Sequence, residues 1–113
     1  MEVRTNVLDD FLDRTGGRPI RFIKCDVEGY ELEVFKGAIR MLDSDRPHLL
    51  FECQDYRNGG GQTGRVFSFL KDLGYEGFLL KDRQRLPISE FDPVVHQASR
   101  DVPYLDNFAF LPR

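Results

Sequence analysis

The sequence predicts an α/β domain organised on a mostly parallel sheet, and three observations carry that prediction. Short apolar runs alternate with segments of helical period, in the order helix, strand, helix, strand, helix, strand, long loop, strand. The run His48 to Cys53 is apolar almost throughout, as expected of a parallel strand covered by helices on both faces. The strand before it passes directly into an acidic turn, Asp26-Val27-Glu28-Gly29, at the place where open α/β sheets put their chemistry. Strands alternating with helices imply right-handed crossovers.

Taken in order, Met1 to Thr5 reads as the end of a strand. Asn6 caps a short helix with Val7, Leu8, Phe11 and Leu12 on its apolar face, Asp9 and Asp10 in its first turn, and Thr15-Gly16-Gly17 closing it. Ile20 to Cys25 is the first full strand. From Tyr30 the period changes: Leu32, Phe35, Ile39 and Leu42 recur at helical spacing, Val34 and Ala38 widen the stripe, and Glu31, Glu33, Lys36 and Arg40 fall on the opposite face. Gly37 costs about 1 kcal/mol in a helix interior, which close packing of helix on sheet would justify. Pro47 stops the helix.

After the strand His48 to Cys53, a helix begins at Thr63 or Gly64, carries Val66, Phe67, Phe69, Leu70 and Leu73, and ends at Gly74. Tyr75 to Leu80 is the next strand. Lys81 to Asp106 shows no clean period beyond a turn of helix near Val94 to Ser99, and a stretch of that length inside a compact domain tends to be functional or mobile. Asn107 to Leu111 is the final strand.

A single domain over residues 1–113 is expected, since a chain of this length buries roughly 65% of its unfolded surface. The net charge of −3 is too mild for a nucleic-acid or anionic-membrane partner and leaves a small molecule as the expected one. Cys25 and Cys53 lie inside apolar strands, which suits buried reduced thiols in a cytoplasmic protein. No window approaches the roughly 18 apolar residues of a membrane span, and Glu2, Arg4 and Asn6 interrupt any signal-peptide core.

The stretch IKCDVEGYELEVFKGA followed by RPHLLFE closely resembles the signature of the FkbM family of S-adenosylmethionine-dependent methyltransferases. TNVLDDFL before it and DNFAFLPR at the end resemble that family's segments in the same order. The resemblance implies a Rossmann-like methyltransferase fold whose last strand returns antiparallel. It also implies that only the C-terminal half is represented, because the glycine-rich turn and second-strand acid that hold the methyl donor have no counterpart before Asp26. A fragment, a half that pairs with a separate N-terminal half, and a module that binds without catalysis are the three expectations.

Methyl transfer from a sulfonium is an in-line displacement, so donor and acceptor must be held collinear while the acceptor proton leaves. Asp26 is the first candidate, orienting the acceptor hydroxyl or the cationic methionine end of S-adenosylmethionine. Glu52, an acid inside an apolar strand, is the candidate proton acceptor, and Glu28 a helper. Against these stand plainer roles. Glu28 can serve only the helix dipole, and Lys24 on the adjacent strand can pair with Glu52 structurally. Gly59-Gly60-Gly61-Gln62-Thr63-Gly64 satisfies GxGxxG and has Asp82 further on, which is a dinucleotide fingerprint on paper. Gln54 to Asn58 nevertheless separate it from the strand, so a surface loop is the preferred reading. Asp26, Glu28 and Glu52 form a poor metal signature. His48 begins its strand at the non-catalytic end, His96 is expected in solvent, and Phe67, Phe69 and Phe78 are expected in the core.

Overall fold

The computed structural model describes residues 19–97 and 104–113. The strand and helix expected before Gly17 lie outside the described residues, as does the end of the turn expected near Ser99. Five strands form one sheet: β1 (Phe22–Cys25), β2 (His48–Glu52), β3 (Tyr75–Lys81), β4 (Gln84–Pro87) and β5 (Asn107–Pro112). The helices are α1 (Glu31–Lys36), α2 (Ile39–Asp45), α3 (Gln62–Asp72) and the single turn α4 (Pro93–His96).

The strand order is β1-β2-β5-β3-β4. Only β1 and β2 pair in parallel, whereas β2 with β5, β5 with β3, and β3 with β4 are antiparallel. The expectation of a mostly parallel sheet is therefore corrected. Its basis was sound for direction, because β1, β2 and β3 all point the same way and are joined by helices. The crossover from β2 to β3 skips one position, however, and β5 returns antiparallel into that gap. A hairpin then adds β4 through Asp82 and Arg83, which take left-handed conformations (φ 50° and 65°) to make the tight turn.

One helical stripe was expected from Tyr30 to Leu42, but the chain breaks there. α1 ends at Gly37, Ala38 has left helical geometry (φ −119°), and α2 restarts at Ile39. The break shifts the helical phase, so Ile39 is exposed whereas Met41 and Leu42 are buried. Glu31, expected on the solvent face, is completely buried.

The core lies between the helices and one face of the sheet, where alternate strand residues project. Phe51 of β2 meets Phe35 of α1 edge-on at 5.2 Å, and Phe67 of α3 meets Phe108 of β5 at 4.9 Å. Leu49, Leu79, Phe110, Met41, Leu42, Val66 and Leu70 complete it. Burying each of these large side chains stabilises the fold by about 2 kcal/mol. Gly74 closes α3 in the expected left-handed conformation (φ 87°). Arg46 donates to the carbonyls of Leu73 and Gly74 and lies over the Tyr75 ring, whose hydroxyl donates to Pro47 O at 2.8 Å. Those contacts tie the end of α3 to the start of β2.

Candidate active site

Because β1 and β2 run in parallel with Cys25 opposite Phe51, both strands end at one edge of the sheet. Asp26 follows β1 there and Glu52 ends β2, opposite Asn107 of β5. The structure brings these two predicted acids together. The Glu52 carboxyl is held above its ordinary value, first by partial burial, then by the negative charges of Asp26 and Asp106, while a side-chain hydrogen bond with Asp26 adds to the rise. Lys24 acts in the opposite direction without cancelling the shift, so a simple Lys24–Glu52 charge pair does not describe this environment.

The acidic turn is held on both sides. Glu28 and Gly29 take positive φ values of 46° and 101°. Gly29 N donates to Glu31 Oε2 at 2.8 Å, and Gly29 O accepts from Asn58 Nδ2 at 2.8 Å and Gln62 Nε2 at 3.3 Å. Glycine is required at this position for its backbone conformation, and a Cβ there would also meet Arg57 Cδ at 3.3 Å. The turn is therefore clamped between its own helix and the start of α3.

In front of this edge opens a cleft of about 620 Å³, lined by Glu28, Glu52, Gln54, Tyr56, Arg57, Gln97 and Tyr104. Asp26 is exposed beside Glu52 and is not part of the lining. Gln54 Nε2 donates to Asp106 Oδ2 at 2.9 Å. Gln97 donates to Cys53 O and Leu105 O and accepts from Asp55 N, so it stitches the cleft floor together. Tyr56 is largely exposed, with the Arg57 guanidinium 5.1 Å from its ring centroid.

The other expectations resolve locally. The N-terminus of α3 already carries a carboxylate: Asp55 Oδ1 accepts from Thr63 N at 3.2 Å and from the Thr63 hydroxyl, and Asp55 O accepts from Gln62 N. Gly59 to Gly64 thus enter a capped helix, and a phosphate would have to displace Asp55 to use those amides. His48 is exposed at the start of β2, the far end from the cleft. His96 is part-buried rather than solvated: its Nδ1 accepts from Asp92 N at 3.0 Å and its ring stacks on Phe91. Phe67 is core, whereas Phe69 and Phe78 are half-buried. Both cysteines are free and buried. Burial, then Glu31 and Asp26, push the Cys25 thiol up to about 12, and burial followed by Glu31 pushes Cys53 up as well, so neither is a ready thiolate. Among the described residues no cluster of three histidines, cysteines or acids suits a metal ion, and no helix is long and apolar enough to cross a membrane.

Sequence reasoning missed Glu31, Tyr56, Arg57, Gln97 and Tyr104. Only Glu31 carried a signal, as an acid two residues beyond a glycine whose N–H the turn leaves free.

The described residues thus form an α/β protein with two acids beside a polar cleft at one sheet edge. A family model described as the methyltransferase FkbM domain matches residues 1–76, which include the acidic turn, Glu52 and the capped helix. The chain belongs to the FkbM methyltransferase domain family. Searches of curated proteins and of solved structures returned no match.

Proposed function

We propose that this chain forms the C-terminal portion of an S-adenosylmethionine-dependent methyltransferase of Rossmann-like fold, and that its cleft methylates a hydroxyl of a sugar or small metabolite. The observation that carries the reading is the Asp26–Glu52 pair beside a cleft at the C-terminal edge of parallel strands. The co-directional strands β1, β2 and β3 with helical connections support the fold.

The residues present fit the cationic methionine end of S-adenosylmethionine, since Asp26, Glu52 and Asp106 concentrate negative charge at one point. When bound, that donor supplies a methyl group on a sulfonium, open to in-line attack. The acceptor hydroxyl lies in the cleft, and Glu52 in its ionised form takes its proton. A carboxyl raised toward neutrality is better matched to that task than an ordinary one. Asp26 accepts the hydrogen bond of the Glu52 carboxyl once it has taken that proton and orients the hydroxyl or the cation, while Glu28, also in the cleft lining, helps to position the acceptor. Cytoplasmic location, with neither nucleic acid nor membrane as partner, belongs to the same proposal and draws support from the buried free thiols and the mild net charge.

Calorimetric titration of the chain with S-adenosylmethionine, followed by transfer of a labelled methyl group to hydroxylated acceptors, tests the reading. Asp26→Asn and Glu52→Gln are each expected to lower transfer by on the order of 10²-fold or more. Full activity of Asp26→Asn would refute the assigned roles.

A second reading, a half-domain that assembles with a partner, is favoured by one observation. Among the described residues β1 stands at the end of the sheet order with Phe22 57% exposed, an unpaired edge and ring left for another strand to cover. Sedimentation showing only monomer at high concentration, together with a working methyl-transfer assay, would dispose of it.

A further inference from the structure

Glu31 is completely buried, yet its carboxyl is only half satisfied. Oε2 accepts from Gly29 N at 2.8 Å, while Oε1 is buried with no hydrogen-bond partner. Leaving a carboxylate oxygen bare inside a protein costs free energy, so a surface acid would be the cheaper choice at a helix start. Its surroundings suggest why it is inside. Besides its bond to Gly29 N, its charge bears on groups from three other elements. The end of β1 presents the Cys25 thiol, the chain leaving β2 presents the Cys53 thiol, and the turn before α3 presents the Arg57 guanidinium. Cys25 is the residue immediately before Asp26, and Cys53 the residue immediately after Glu52. Glu31 thus acts on the chain neighbour of each strand-end acid, and through its bond to Gly29 N it holds the turn that carries Glu28.

We infer that Glu31 is a positioning residue that sets the separation of Asp26 and Glu52 by clamping the ends of β1 and β2 from beneath. It meets no substrate. It rests on the reading of those two acids as the reactive pair, and adds to it the group that keeps them paired. Burial is the main cause holding the Glu31 carboxyl above its ordinary value, opposed by the polar N–H groups of the turn, Gly29 first, and by the charge of Arg57. A protonated carboxyl also gives Oε1 a hydrogen to offer. The conservative amide, Glu31→Gln, can keep the acceptor for Gly29 N and turn a donor toward the other side, whereas Glu31→Ala removes both.

The test needs neither methyl donor nor acceptor, so its failure is distinguishable from failure of the proposed activity. Carboxyl-carbon NMR titration of the uniformly labelled chain reads Glu52 directly. In the wild type and in Glu31→Gln, Glu52 is expected to titrate above an ordinary glutamate, because Asp26 stays beside it. In folded Glu31→Ala, the Glu52 midpoint is expected to fall toward the ordinary value as the pair spreads. A purely structural role would lower the melting temperature without moving that midpoint, and an unmoved Glu52 in folded Glu31→Ala overturns the inference. Should Glu31→Ala fail to fold, the wild type decides. The Gly29 amide resonance should then follow the Glu31 titration, and a Gly29 amide that ignores it overturns the inference equally.

Discussion

Gly77→Ala is the sharpest test of the strand order. Gly77 sits in β3 directly opposite Phe110 of β5, and a Cβ there would stand 2.4 Å from Phe110 Cζ and 2.7 and 2.8 Å from its ε carbons. Ordinary contact begins at 3.4 Å, so the ring must retreat by about 1 Å. It has nowhere to go, because Phe110 is fully buried against Phe51 at 5.5 Å and Phe67 at 5.4 Å. Overpacking of this kind costs about 1–3 kcal/mol, and disturbing the ring pairs adds up to about 1 kcal/mol. Replacing a strand glycine by alanine returns about 0.5–1 kcal/mol of chain entropy, so a net loss of about 2 kcal/mol is expected. Urea denaturation should show the midpoint falling by about 1 M at the slope typical of a small domain. The double variant with Phe110→Leu should recover part of the loss, since the two positions share one contact. Unchanged stability of Gly77→Ala would mean that β5 does not lie beside β3, and the inserted antiparallel strand would be wrong.

Two further outcomes follow from single contacts. Asp55→Ala removes the acceptor for the Thr63 amide and hydroxyl at the start of α3, and a loss of about 1 kcal/mol in chemical denaturation is expected; a neutral result would show that the helix start is capped by something else. For Glu52 the sign runs through linkage: its folded value is raised, so between the ordinary carboxylate value and the raised one the folded state holds more protons, and stability falls as pH rises through that window. Comparing urea midpoints of wild type and Glu52→Gln across mildly acidic to neutral pH should therefore show the wild type losing ground as pH increases, and parallel pH profiles would contradict the raised value.

Much of the fold was legible because hydrophobic period reports which face an element buries. The strand at His48, the helix expected from Thr63 or Gly64 and found from Gln62, and the stop at Gly74 all appear close to where apolar spacing and turn residues place them. β4 was invisible for a physical reason. Its turn uses Asp82-Arg83 rather than asparagine or glycine, and its residues are mostly exposed, so neither turn chemistry nor alternation marks it. The break at Gly37 was hidden differently. Apolar residues continue on both sides of it at nearly helical spacing, and only tertiary packing decides that Met41 rather than Ile39 turns inward.

The site divides along the same line. Asp26 and Glu52 could be read because an acid ending an apolar strand is conspicuous, and parallel pairing of two such strands forces both to one edge. Tyr104 and Gln97 could not, because they reach the cleft only through the long connection that brings β5 back between β2 and β3. Glu31 was misread for the most instructive reason. An acid in the first turn of a helix is normally explained by the macrodipole, and that explanation is satisfied equally by an exposed side chain and a buried one. What separates the two is the free N–H of Gly29, which the positive φ values of the turn leave pointing back toward the helix. This strand-end turn therefore carries two acids in different environments. Glu28 lines the cleft at the surface, and Glu31 is buried and accepts from the Gly29 N–H of the turn.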